Sequence, residues 1–134
     1  MGKNRYKAIV SSDWNECLAP CGPFDYINFV YPELSEKLTT IFKQYTTNQI
    51  PLSKAIQMIR EMIPEPISQE QMDAYLDSEF KIYKGVTDFI DWCLSKDILF
   101  MINTTGVVGY FQRVVAKKLI PPIPWLSAHP SLTY

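Results

Sequence analysis

The chain has 134 residues, enough for one domain or a small core carrying an insertion, and at 47% hydrophobic and 13% aromatic it can bury a core. Thirteen basic residues against fourteen acidic leave a net charge of -1 with no basic run, which argues against a nucleic-acid partner. Only three apolar residues separate the basic start MGKNRYK from Ser11, too few for a signal peptide, and no stretch is apolar and long enough to cross a membrane. Cys17, Cys21 and Cys93 make no even disulfide framework, so a reduced, cytoplasmic protein is expected. The sequon Asn103-Thr104-Thr105 is set aside for the same reason, since it ends an expected strand in a chain with no secretion signal.

In chain order, Tyr6 to Ser12 reads as a strand, with Ala8-Ile9-Val10 as a buried run. Ala19-Pro20-Cys21-Gly22-Pro23 then breaks regular structure. From there to Tyr83 the pattern is helical. Pro32 and Glu33 start a helix with Leu34, Leu38, Ile41, Phe42 and Tyr45 on one face. Pro51 starts a second, with Leu52, Ile56, Ile59 and Ile63, which stops at Met62-Ile63-Pro64-Glu65-Pro66. Ser68-Gln69-Glu70-Gln71 is a capping box opening a third, with Met72, Tyr75, Leu76 and Phe80. After Lys84-Gly85, a stripe of Val86, Phe89, Ile90, Cys93 and Leu94 predicts another helix, ended by Lys96-Asp97. Ile98 to Ile102 is an uninterrupted apolar run, as expected of a strand buried on both faces. A helix with Val108, Phe111, Val114, Val115 and Leu119 follows, and after Pro121, Pro122 and Pro124 a short third strand is expected at Trp125-Leu126-Ser127. This alternation argues an α/β fold: a Rossmann-like parallel sheet with a helical bundle inserted after the first strand.

Two strand ends converge in such a sheet, and ligands bind there. The first offers Asp13, Asn15 and the backbone of Trp14. The second offers Asn103, Thr104, Thr105 and the N–H groups of Gly106 and Val107, a hydroxyl and amide set suited to phosphate if it opens a helix. A short carboxylate at a strand end can attack an electrophile or bind a divalent cation. It can equally do no more than open a loop. A carboxylate facing a phosphate seat needs a reason, since like charges repel; attack on phosphorus or a bridging Mg²⁺ supplies one.

The two segments IVSSDWNECL and ILFMINTTGVVGYFQRVVAKKL resemble the first two motifs of the haloacid dehalogenase (HAD) superfamily. The first has the form Asp-x-Asp-x-Thr after an apolar strand; the second is an apolar strand ending in Ser or Thr before a helix. The likeness is to the branch of phosphoserine phosphatase and of the methionine-salvage phosphatase acting on a methylthio-pentenyl phosphate, which Lys84-Gly85-Val86 also fits. It implies an α/β core at 1–18 and 84–134 and a helical cap at 19–83. It implies a small phosphorylated metabolite as substrate, Asp13 as the nucleophile forming an aspartyl-phosphate, and Thr105-Gly106 (Thr104 as the alternative) as phosphate-binding residues. It implies Mg²⁺ held by Asp13 and the backbone carbonyl of Asn15.

The sequence departs from that pattern. Asn15 stands where the family has its acid/base Asp, and Asn cannot donate and recover a proton. Glu16 replaces the usual Gly and Cys17 the usual Thr. The family's later Lys and its acidic metal loop have no counterpart before Tyr134, and Lys117 and Lys118 lie in the wrong element. In the family fold a fourth strand pairs with the first; without it Tyr6 to Ser12 is an exposed apolar edge. A longer parent chain, a dimer through that edge, or a partner chain covering it are the expectations. An inactive phosphate-binding or protein-interaction subunit is the alternative to an enzyme. Cys17 and Cys21 lack two nearby ligands for zinc, and His129 is expected in a surface loop. Trp14 is expected to pack beneath the site loop, and Phe24, Tyr26, Phe29 and Tyr31 to form the cap's hinge and inner core. Asp25 and Glu33 are candidates for binding a substrate amine.

Overall fold

The computed structural model describes residues 5–134; most of the basic start, residues 1–4, lies outside them. Its elements in chain order are β1 (Ala8–Ser12), α1 (Asp25–Val30), a 3-10 turn (Pro32–Leu34), α2 (Ser35–Thr46), α3 (Leu52–Met62), α4 (Gln69–Glu79), α5 (Val86–Ser95), β2 (Ile98–Val107), α6 (Val108–Ala116) and β3 (Trp125–His129). The chain divides into two compact units. One runs to Pro23 and resumes over Glu79–Tyr134; the other is Phe24–Ser78.

The first unit is α/β. Its strands lie in the order β1-β2-β3, all parallel, with Ala8 level with Ile98 and Ser12 level with Ile102. Right-handed crossovers in that order bring α5 and α6 to the same face of the sheet, and burial agrees. Phe100 and Ile102, on the helix-covered face, are fully buried, and Phe89 of α5 meets Phe100 edge-on at 5.9 Å. Leu99 and Met101, on the other face, are half-buried, and their registered neighbours Ile9 and Trp125 are 64% and 58% exposed. Two expectations are thereby corrected. β2 is buried on one face, not both. Ala8-Ile9-Val10 is not a buried run: among the described residues β1 pairs with β2 alone and is exposed, in keeping with the edge expected without a fourth strand. The α5 and α6 stripes are also narrower than their periodicity suggests: Ile90, Cys93, Phe111 and Val114 are buried, whereas Val115 and one flank of Phe89 face water. Burial pushes the Cys93 thiol's pKa up, as expected of an inert core cysteine.

The C-terminal segment is held on α6. Gly109 N–H donates to Leu132 O at 2.8 Å, and Tyr134 N–H donates to the Gln112 side-chain oxygen at 2.8 Å. A Cβ on Gly109 would stand 2.9 Å from that same Leu132 oxygen, so the approach requires glycine.

The second unit is helical throughout. Pro32 opens the 3-10 turn that leads into α2, and α2 packs on α3 through Leu38, Ile41, Ala55 and Ile59, all buried. Phe42, expected on that face, is 40% exposed and instead meets Phe24 edge-on at 6.1 Å. Asn48, with φ +61°, turns the chain out of α2, a conformation Asn tolerates better than most residues. The capping box forms in both directions: Gln71 N–H donates to Ser68 Oγ at 3.1 Å and Ser68 N–H donates to Gln71 Oε1 at 2.9 Å. Phe29 of α1 meets Tyr75 of α4 at 5.5 Å, and Tyr31 donates to Glu65 O at 3.1 Å. Removing the cap with Ser68→Ala should cost about 1 kcal/mol of stability, read as a lowered denaturation midpoint.

Candidate functional site

The site is built where β1 and β2 end side by side. Their register brings Ser11 level with Met101, and Asn103, two residues on, donates from Nδ2 to Ser11 Oγ at 2.6 Å. That bond ties the two strand ends together on the open face of the sheet. Asp13 follows β1 directly. It is exposed, and its Oδ1 accepts from Trp14 N–H at 2.7 Å, which fixes the carboxylate at the head of the loop.

The loop after Asp13 is tight. Trp14 O accepts from the N–H groups of Cys17, Leu18 and Ala19 at 3.1, 2.9 and 3.2 Å, and Glu16 N–H donates to Ala19 O at 2.8 Å. This turn puts Glu16 at φ +57°, the left-handed region that favours glycine. The sequence departure at Glu16 is therefore a real conformational cost, on the order of 1 kcal/mol. Part of it is offset by Tyr83, whose hydroxyl donates to Glu16 Oε2 at 3.3 Å. Partial desolvation, then the Glu16 carboxylate, hold the Tyr83 phenol above its ordinary pKa.

Beneath the loop Trp14 is fully buried, as expected, stacked with Phe80 at 6.5 Å and edge-on to Phe111 at 5.3 Å and Tyr110 at 6.2 Å. This cluster anchors the loop to α6. It points Asn15 at the end of β2: Asn15 Nδ2 lies 3.7 Å from where a Gly106 Cβ would stand, and Thr104 Oγ1 lies 3.3 Å from the same point. On its other side Asn15 Oδ1 accepts from the Cys21 thiol at 3.5 Å.

The end of β2 differs from the expected helix N-terminus. β2 continues through Val107 before α6 begins. Four steps along β2, Asn103 to Val107, oppose two along β3, Ser127 to His129, so two extra residues bulge out. Thr104, Thr105 and Gly106 occupy that bulge. Gly106 N–H is not open to a ligand as expected; it donates to Thr104 Oγ1 at 3.0 Å. The reason is local: a Thr hydroxyl two residues before an amide closes a turn on it. Thr105 is exposed. His129 is placed at the end of β3, level with Val107, and its Nδ1 accepts from Ser131 N–H at 3.2 Å.

The structure thus brings Asn15, Thr104 and Gly106 into one neighbourhood, with Asp13 exposed two residues before Asn15 in the same loop. The Cys21 contact with Asn15 and the Ser11–Asn103 tie were not legible in the sequence, which offered a cysteine in a Pro-Gly break and named Asn103 as a site residue without its partner Ser11. The Mg²⁺ ligands expected from the resemblance are the Asp13 carboxylate and the Asn15 backbone carbonyl. Among the described residues no group of three or more His, Cys, Asp or Glu side chains converges to hold a metal. Mg²⁺ keeps several of its six oxygens as water and substrate phosphate, so one carboxylate and one carbonyl are a donor set compatible with it.

No family model and no curated protein matches the chain. Solved structures do. A HAD family hydrolase from Salmonella enterica subsp. enterica serovar Typhi matches over 90% of this chain with a TM-score of 0.69 at 15% identity. A phosphoserine phosphohydrolase-like protein from Francisella tularensis subsp. tularensis SCHU S4 matches over 91%, with a TM-score of 0.65 at 16% identity. The chain spans 40% of the first structure and 57% of the second. The fold is that of the haloacid dehalogenase-type hydrolases, as the two motifs implied.

Gly106→Ala should push the Thr104 hydroxyl and the Phe111 ring, whose Cε2 lies 3.4 Å from the new methyl group. A loss of about 1–3 kcal/mol in unfolding free energy is expected. Thr104→Ala alone should cost less, about 1 kcal/mol, since it removes one hydrogen bond without overpacking.

Proposed function

We propose that this chain carries the nucleophile half of a phosphatase-type active site acting on a small phosphorylated metabolite, with chemistry altered at Asn15. The observation that supports the reading is the position of Asn15 beside Thr104 and Gly106, which joins the two motif segments at one strand-end crevice. A carboxylate oxygen of Asp13 attacks phosphorus, the bond from phosphorus to the leaving oxygen breaks, and an aspartyl-phosphate forms; water then releases phosphate. The Thr104 and Thr105 hydroxyls are the phosphate contacts. When bound, Mg²⁺ would screen the phosphate charge from Asp13; Asp13 and the Asn15 carbonyl would hold it, with water and substrate oxygens completing its shell.

Asn15 decides which substrates turn over. Its amide can donate a hydrogen bond to the leaving oxygen but cannot transfer a proton to it. Leaving groups stable as anions, such as aryl oxides or carboxylates, suit this site; alkoxides do not. Asn15→Asp should raise turnover of alkyl phosphates by about 10²–10⁴ and of p-nitrophenyl phosphate far less. Asp13→Asn should abolish both, and acid-quenched protein should carry hydroxylamine-labile phosphate only when Asp13 is present. Equal gains for the two leaving groups, or no gain in folded protein with Mg²⁺ present, would sink the acid/base account.

A second reading is a phosphate-binding protein without turnover. It is favoured by the same Asn15, whose Oδ1 already accepts from the Cys21 thiol and whose amide has no proton to transfer to a leaving group. Phosphate binding by calorimetry that survives Asp13→Asn, with no labile phosphate formed, would support it.

A further inference from the structure

We propose that Cys21 is a positioning residue for Asn15: its thiol holds the amide oxygen, so that the amide NH2 group faces the crevice where the two motif segments meet. What that NH2 group does toward phosphate rests on the phosphatase reading; the orientation itself does not. A primary amide is nearly symmetric in shape but not in chemistry. Its oxygen only accepts hydrogen bonds and its nitrogen only donates them. A half-turn about the last torsion of Asn exchanges the two, and that torsion is soft. Facing a phosphate, the two orientations act in opposite senses. The NH2 group attracts phosphate oxygens and donates to a leaving oxygen, whereas the carbonyl oxygen repels both.

The loop supplies the group that selects between them. Asn15 pairs with Ala19 in an isolated bridge, so the chain folds back on Asn15 directly after the turn. Cys21 N–H donates to Ala19 O at 2.9 Å, which brings residue 21 in beside Asn15. Tyr83 N–H donates to Leu18 O at 2.9 Å, so the returning segment is held from outside the loop as well. Asn15 and Cys21 are both half-buried. The thiol donates to Asn15 Oδ1 at 3.5 Å. Nδ2 is thereby left on the side of Gly106, 3.7 Å from where a Cβ there would stand. Thr104 Oγ1, which accepts from Gly106 N–H, lies 3.3 Å from the same point. The acceptor end of the amide is on the thiol's side and the donor end on the hydroxyl oxygen's side. A thiol is a weak donor, but it has only to separate two orientations of one side chain. A net hydrogen bond is enough for a preference of about two- to tenfold.

The experiment is NMR of the isotope-labelled whole chain under reducing conditions, followed by kinetics. The Asn15 NH2 signals are identified by their loss in Asn15→Asp. They should show a stronger NOE to the Gly106 Hα protons than to the Cys21 Hβ protons. Cys21→Ala removes the donor, and the NOE to Gly106 should fall toward about half, the value for an amide divided between two orientations. Cys21→Ser keeps an O–H donor and should keep the NOE. A stronger NOE to Cys21 in the parent chain, or one to Gly106 that is unchanged in Cys21→Ala, overturns the proposal. So does its loss in Cys21→Ser. With Mg²⁺ and p-nitrophenyl phosphate, Cys21→Ala should lower kcat about two- to tenfold, and Cys21→Ser should recover most of it. In the Asn15→Ala background Cys21→Ala should cost nothing further; an equal loss there overturns action through Asn15. A parent chain that shows the Gly106 NOE but no turnover strikes the phosphatase reading and supports the orientation.

Discussion

The parallel ladder between β1 and β2 is the constraint on which the site depends. Asp13 and Asn103 are ninety residues apart in sequence, with a whole helical unit between them, and nothing local holds them together. Five registered residue pairs, from Ala8–Ile98 to Ser12–Ile102, set the two strand ends level. A slip of one residue would reverse every side chain on β1. Ile9 would turn toward the helices, and Ser11 would leave Asn103. The Asn103–Ser11 hydrogen bond, at the far end of the ladder, therefore reports the register as well as bracing the crevice.

Trp14 adds the second dimension. The ladder aligns the strands but does not determine how the loop after Asp13 leaves the sheet. A large ring buried among Phe80, Tyr110 and Phe111 does so. Because Trp14 points into the core, its neighbours in the turn, Asp13 and Asn15, are carried to the rim. The turn is so short that Glu16 is forced to positive φ. The chain thus retains a glycine-type backbone without its glycine, and tolerates the strain in a place where the side chain has found Tyr83. Conformational strain kept at a strand-end loop is typical of functional sites, and here it sits directly after the Asn15 amide, three residues from the Asp13 carboxylate.

With both helices of the α/β unit on one face of the sheet, Ile9 on the other face is 64% exposed among the described residues. The solved structures with which the chain shares its fold are longer than this chain.

Local patterns were legible in the sequence wherever they are settled by neighbours within a few residues. The Ser68–Gln71 capping box, the strand–Asp and strand–Thr segments, the alternation of strands and helices, and the burial of Trp14 all follow from spacing and residue type, and the structure carries each of them. What only the tertiary structure decided depends on who lies across the sheet. Apolar runs announce burial, but Ala8-Ile9-Val10 and Ile98–Ile102 are apolar without saying that one is an edge and the other covered on a single face. The β2 bulge, the diversion of Gly106 N–H to Thr104, and the Cys21 thiol on Asn15 are equally invisible in one dimension. Each arises from a backbone that must meet two neighbours of unequal length or from side chains brought together by a loop, and no periodicity records such a meeting.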